Sequence, residues 1–434
     1  MRIAVIGLGV SGAVAARLLA TRHEVVLYDG SPSPGGHALT VEVEHAGSVA
    51  AVDVGFMVFN TKTYPNFCRL LDMLNVASRP SDMSFSVRDP QRDFEYQGSG
   101  LRGLFAQRTN ALSPSFWRMI ADILRFNRRG RHAADNGTIT NQTVGEFLHN
   151  GRYSSAMVHD YLVPMAAAIW SCTPSEILDY PARFMIGFFA NHGLLQLQDR
   201  PRWRTIVGGS RRYVEPLLHD LRDRLRLGDP VAEVRRDLSG FQVETDSGDT
   251  DDYDQVVFAC HADQTRRIFT DATPEEAEIL GAFPYQPNQA VLHTDTNCLP
   301  RRRDAWASWN YCLTNDKQHP ASVTYDLGRL QGVVEPGQLL LSLNAGDRVA
   351  PEKVLRTFEF SHPAYTMQSI AAQRRWAEVS GREGAHFCGA YWGYGFHEDG
   401  VNSALSVAKQ FGIGLEACTA ACTKEPSPTT VAIR

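Results

Sequence analysis

Residues 2–12 read Arg2-Ile3-Ala4-Val5-Ile6-Gly7-Leu8-Gly9-Val10-Ser11-Gly12. Arg2 to Gly7 is a short apolar run, β-branched at Ile3, Val5 and Ile6 and stopped by glycine, which is the composition of a buried parallel strand. The alanine- and leucine-rich stretch Gly12 to Ala20 predicts a helix, and Glu24 to Tyr28 predicts a second strand that stops at Asp29. Strand, glycine turn, helix and strand fall within about 30 residues, the length of a βαβ unit. In that setting GxGxxG has a mechanism. The first glycine permits the tight turn, the second lets backbone approach a pyrophosphate, the third allows close helix packing, and the helix N-terminus attracts phosphate charge. Asp29, 22 residues after Gly7, is placed to accept hydrogen bonds from a ribose diol. Gly7, Gly9, Ser11, Gly12 and Asp29 are therefore expected to hold a dinucleotide.

The remaining sequence sets bounds on what surrounds this unit. The chain has 434 residues, a formal charge of -5, 43% hydrophobic and 21% charged residues, the balance of an ordinary folded protein. Tyr161 to Trp170, the most apolar stretch, is short and contains Pro164, so no segment reaches the roughly 20 apolar residues a spanning helix needs. Met1 to Ala20 is glycine-punctuated and runs into the second strand, so it reads as fold rather than signal peptide. Eight cysteines are scattered without a CxxC pair, and Cys418 and Cys422 form only a CxxxC in the Ala/Thr-rich end. Reduced thiols, a cytoplasmic location and no metal follow as expectations. No motif points to nucleic acid. Basic charge is carried by 38 Arg against Lys62, Lys317, Lys353, Lys409 and Lys424.

Between Asn75 and Trp203 the pattern becomes helical, over Phe116 to Arg129, Ala156 to Trp170 and Phe184 to Leu195. Val231 to Arg235, Phe241 to Thr245 and Asp254 to Ala259 predict a β-meander closed by a buried strand, and Asn288 to Leu343 a second β-rich insertion. From Gly384 the chain reads strand, glycine-rich loop and a helix starting at Asp399-Gly400, with Val401, Ala404, Leu405, Ala408 and Phe411 at helical spacing. The expected class is α/β: a Rossmann-like domain of parallel sheet and β-meander, with an inserted α+β substrate domain. The expected division assigns 1–75, 205–265 and 376–417 to the first, 76–204 and 266–375 to the second, and 418–434 to a loose tail.

After Asp29 come SPSPGGH (residues 31–37) and VDVGF (52–56), then VGGS (207–210), VAEV (231–234), VVFACH (256–261) and FCGAYWGYGFHEDGVNSALSVA (387–408). In this order they resemble the FAD-binding pattern of the flavin amine oxidase and carotenoid desaturase superfamily. His37 stands where that pattern has arginine. The resemblance implies FAD, with Gly35, Gly36 and His37 in a Gly-Gly turn, Gly55 and Phe56 under the isoalloxazine, Val231 at the adenine, and Gly389, Gly400 and Val401 in the terminal flavin motif. More narrowly, residues 53–67, 80–87 and 188–214 resemble a bacterial branch related to plant cyclopropane fatty acid synthases and to the flavin desaturase of furan fatty acid biosynthesis. That likeness implies a fatty acyl substrate.

His397, Glu398 and Tyr394 are candidate catalytic residues because they flank the final helix, with Asp399, Tyr391 and Trp392 beside them. Phe188 and Phe189 are candidates to line an acyl tunnel, although for either one alone core packing is the stronger reading, and His192 beside them is a second-tier candidate. Leu101 to Arg131 carries seven arginines against Asp122, interleaved with aromatic and aliphatic residues, the composition either of a bilayer-facing segment or of a helix with a solvated basic face. The function expected is oxidation of an acyl chain in membrane phospholipid by hydride transfer to FAD, at the inner face of the membrane. Two alternatives stay open: a flavin amine oxidase, for which Lys317 is the candidate lysine, and an FAD-containing lipid-binding partner of a methyltransferase. A homodimer is compatible with either.

Overall fold

The computed structural model describes residues 1–45, 47–139, 141–314, 322–333 and 338–418. The expected tail beyond Cys418, with Cys422, and the candidate Lys317 lie outside the described residues.

Five parallel strands form the first sheet, in the order Leu225–Leu227, Glu24–Asp29, Arg2–Ile6, Gln255–Phe258, Ala385–Phe387. The central strand buries both faces, as its unbroken apolar run requires. Ile3 and Val5 pack into a helical layer with Val14, Leu18, Val401 and Ala404, while Ala4 and Ile6 pack with Val234, Phe241 and Tyr253 of the meander. The helices Val10–Leu19 and His397–Gln410 make up that helical layer. The meander is the antiparallel sheet Val231–Arg236, Phe241–Thr245 and Thr250–Tyr253.

A second sheet has seven strands, in the order Val354–Pro363, Tyr285–His293, Leu340–Leu343, Ser322–Asp326, Trp309–Cys312, Phe85–Asp89, Phe94–Gln97. The region expected to be helical thus contributes a hairpin, whose inner strand pairs in parallel with Trp309–Cys312. The second β-rich insertion also runs past the expected Leu343 to Pro363. The hairpin closes one side of the sheet and Val354–Pro363 the other, and polar residues, Arg88, Asp89, Arg356 and Glu359 among them, interrupt the apolar pattern of these strands. Helices Pro114–Asp135, Val163–Trp170 and Ala182–Asn191 cover this sheet through one large apolar core.

A buried polar joint ties the short helix Leu327–Gln331, which follows the strand Ser322–Asp326, to the separate hairpin Thr40–His45 and Ser48–Asp53. The Gln331 side chain accepts from the Asp53 amide at 2.8 Å and donates to the Asp53 carbonyl at 2.8 Å. The Asp53 carboxylate accepts the Ser210 amide and hydroxyl and the Thr40 hydroxyl. A buried carboxylate so fully satisfied rigidifies the segment that carries Gly55 and Phe56. Among the described residues no helix is long and apolar enough to cross a membrane.

Candidate active site

A single cavity of about 760 Å³ runs from the Gly7–Ser11 turn, past Asp29, His37 and Phe56, to a chamber walled by the seven-stranded sheet. Its glycines divide by what a side chain would meet. A Cβ on Gly12 would lie 1.8 Å from the Gly7 carbonyl oxygen, and one on Gly7 would lie 2.7 Å from the Cys260 amide at a φ of +95°. These two positions are closed by the fold itself. A Cβ on Gly9 would meet nothing within 4 Å, because Gly9 faces the cavity. The turn is held by Asp29, whose carboxylate accepts the Leu8 amide at 2.6 Å and the Ser31 amide at 2.8 Å. Burial raises the Asp29 pKa. The Gly35 amide donates to the Leu8 carbonyl at 2.8 Å, so the Gly35-Gly36 turn lies directly over the first one. His37 follows, its Nε2 buried with no hydrogen-bond partner.

Comparisons with known proteins agree with this geometry. Residues 10–328 match the family of flavin containing amine oxidoreductases. The chain belongs to that family. It is 24% identical over 414 residues to amine oxidase [flavin-containing] A of Bos taurus, covering 86% of this chain and 74% of the bovine protein. In fold it is similar to putrescine oxidase bound to putrescine (TM-score 0.68, 13% identity, 95% of this chain and 99% of that one). It is similarly close to the CLA-producing fatty acid isomerase from P. acnes (TM-score 0.66, 13% identity, 94% and 98%).

This flavin amine oxidoreductase is thus an FAD-dependent oxidoreductase, and the residues present fit FAD. Gly9 leaves room for backbone to approach a phosphate, Asp29 has acceptor capacity beyond its two amides, and the orphaned His37 Nε2 needs a partner. Desolvation and the neighbouring His362, His261 and His397 hold the His37 pKa well below its ordinary value. His37 therefore offers a neutral hydrogen-bonding group where the family pattern has a cation. Gly55 packs against the His37 carbonyl, which accepts the Phe56 amide at 2.6 Å, and Val231 and Gly389 also line the cavity.

The candidate catalytic residues separate. Tyr394 lines the cavity, with its ring against Phe184 at 4.8 Å. His397 also lines it, but its ring stacks on Phe56 at 3.4 Å and Nε2 is 3.0 Å from the Tyr213 hydroxyl. Burial pushes its pKa down to about 3, so it is a neutral wall and a poor proton acceptor. Glu398 is not at the cavity; its carboxylate accepts the Asn66 amide at 3.1 Å and the Phe67 amide at 2.9 Å, in the first turn of the helix Pro65–Met73. One helical step turns a side chain by about 100°, and that step carries Glu398 away from His397. Asp399 likewise accepts its own helix's Phe396 amide at 2.9 Å, and burial raises its pKa to about 6.

Two further expectations are corrected. The final helix starts at His397 rather than Asp399-Gly400, so the Gly400 amide is already spent on the Phe396 carbonyl at 3.0 Å. Gly400 and Val401 do not line the cavity: a Cβ on Gly400 would lie 2.6 Å from Val10 and 2.9 Å from Ser11 Oγ, so this glycine serves helix packing. Phe188, Phe189 and His192 are not lining residues either. Phe188 stacks on Phe396 at 5.0 Å and His192 on Phe188 at 3.9 Å, one layer behind Trp170, Tyr394 and Phe396. The tunnel-facing residues are instead cross-strand neighbours: Trp309 pairs with Tyr325 and Tyr325 with Leu341, joined by Leu343, Phe360 and Tyr365. Alternation within single strands marks them as sheet residues, but their common face is visible only in the register.

The charge distribution within the cavity is one-sided. Among the described lining residues the carboxylate is Asp29 and the cation is Arg267, both at the glycine-turn end. The chamber has only neutral groups, including the buried and unpartnered Tyr365 hydroxyl and Trp309 Nε1. No lysine is among these lining residues.

Proposed function

We propose that this flavoenzyme dehydrogenates a fatty acyl chain of a membrane lipid, at a carbon beside an existing double bond, at the inner face of the membrane. The observation that carries this is the chamber: aromatic and aliphatic walls, continuous with the cofactor cradle, in a cavity whose described lining residues include no charged side chain beyond Asp29 and Arg267. Such a pocket favours an apolar chain and excludes a charged head group, whose desolvation nothing there offsets. FAD, when bound, would supply the two-electron acceptor: the substrate would give a hydride to it and release the second hydrogen as a proton to solvent, gaining one carbon–carbon double bond. The chain's own residues position and dry the substrate. Trp309, Tyr325, Leu341 and Phe360 present apolar surface, and the unpartnered Tyr365 hydroxyl is the polar group nearest to Gly395 of the flavin motif. A fatty acid isomerase among the proteins of similar fold supports the reading in kind.

Family membership favours amine oxidation as the second reading. One experiment separates them. The FAD-loaded protein is mixed anaerobically with unsaturated acyl lipids, saturated acyl lipids, or primary and secondary amines, and the flavin absorbance is followed. Bleaching by unsaturated lipid, with a product two hydrogens lighter, supports the proposal. Rapid bleaching by amines alone replaces it with amine oxidation.

A further inference from the structure

The arginine-rich segment takes a definite form. A short 3-10 turn, Arg108–Leu112, leads into the helix Pro114–Asp135, whose first turn is capped by Ser113 Oγ accepting the Phe116 amide. Phe116, Met119, Phe126 and Ala133 bury the inner face in the same core as Phe188. At about 100° per residue, Trp117, Ala121, Leu124, Arg128 and Arg131 share one outward strip. They are all exposed, and the strip is apolar at its start and basic at Arg128 and Arg131, with the exposed Asp135 one turn further on at the helix end.

Exposure here is unusual for such large side chains. Leu112 is 85% exposed, Leu101 75%, Trp117 50% and Leu124 47%. Trp117 donates its indole N–H to the Ala111 carbonyl at 2.9 Å, so the ring projects with its polar group already satisfied. The one acid of the segment, Asp122, is buried and accepts from Arg118, Arg125 and the Ser154 amide, so it offsets no charge on the outer strip. Arg108, Arg128 and Arg131 make no ion pair among the described residues. Arg125, by contrast, is spent inside the fold, on Asp122 and on the Gly151 and Arg152 carbonyls.

We infer that this strip docks on an anionic lipid bilayer, with Leu112, Trp117 and Leu124 at the acyl boundary and Arg108, Arg128 and Arg131 on head-group phosphates. Charge complementarity selects an anionic partner, and the exposed leucines and tryptophan require an apolar phase that a nucleic acid backbone does not offer. The inference goes beyond the oxidation reading, because docking needs no turnover.

The test is sedimentation of the FAD-loaded full chain with vesicles of phosphatidylcholine alone, or of phosphatidylcholine mixed with phosphatidylglycerol. Binding is expected only to the mixed vesicles, and salt should weaken it. Arg128→Gln with Arg131→Gln should reduce it about 30-fold, roughly five-fold per residue. Leu112→Ser with Leu124→Ser should reduce it about ten-fold or more. Arg226→Gln, elsewhere on the surface, should bind like the parent. A parent that ignores phosphatidylglycerol, or strip variants of unchanged melting temperature that bind like the parent, overturns the inference. So does a concentration-dependent dimer that the strip variants abolish while vesicles go unbound. Flavin bleaching by detergent-dispersed lipid, measured on the same variants, reports on the oxidation reading separately and should be unaffected by them.

Discussion

The two ends of the cavity are built on opposite principles. The cradle is made of backbone: Gly7 and Gly35 spend their amides on the Tyr28 and Leu8 carbonyls to fix two close-packed turns, Gly9 leaves open space for a charged ligand, and Asp29 ties the turns together within 29 residues of sequence. The chamber is made of side chains from strands that start at residues 309, 322, 340 and 354, brought together only by sheet register. Phosphate recognition needs donors at fixed spacing, which a local turn supplies; an apolar chain needs shape and dryness, which any set of large neutral residues can supply.

Gly12→Ala should break the cradle most severely. Its Cβ would lie 1.8 Å from a backbone oxygen that has no room to yield, at a cost of about 3 kcal/mol or more, read as a loss of thermal stability together with FAD. Gly9→Ala is the matched control. It should leave the melting temperature of the apoprotein nearly unchanged and weaken FAD retention, since its Cβ meets only open cavity. Equal effects from the two would erase the distinction between packing and ligand glycines.

Asp29→Ala removes the acceptor of two amides and should weaken FAD binding, each charge-assisted bond being worth roughly 1.5 to 3 kcal/mol. Titration of the apoprotein with FAD measures it. In the chamber, Trp309→Phe should keep FAD and shift the KM for acyl lipid, because it changes a wall of the substrate end alone.

Histidines test both ends through pH. His397 has its pKa lowered to about 3, and His362 and His192 to about 4, all by desolvation. Above pH 6.5 these rings are neutral folded and unfolded, and they cost nothing. As pH falls from about 6.5 to 4 the unfolded chain takes up protons that the folded one refuses, so each ring removes up to about 1.4 kcal/mol of stability per pH unit. Asp399, raised to about 6, works in the opposite sense and offsets part of one histidine. Denaturant midpoints measured from pH 7 to 5 should fall. A flat profile would mean that these rings reach water.

The smallest effect is expected from Phe188→Leu. Phe188 lies behind the chamber wall, so the change should cost about 1 kcal/mol of stability and leave KM for lipid unaltered. A changed KM would move the wall to include it.

What the sequence determined by itself was everything local. The strand, glycine turn and Asp29 acid were legible because a βαβ unit and its phosphate turn are set by residues within one short span, and the ordered motifs that follow identify FAD. Three things were decided by tertiary structure. Helix phase sent His397 to the cavity and Glu398 to the Pro65–Met73 helix, since adjacent residues face about 100° apart and only packing chooses the direction. Layering placed Phe188 and His192 behind Trp170 and Phe396, because a buried aromatic residue reads the same in sequence whether it lines a cavity or backs the residue that does. Strand register assembled Trp309, Tyr325 and Leu341 into a single wall, because hydrogen bonding between distant strands, not spacing along the chain, sets which side chains share a face.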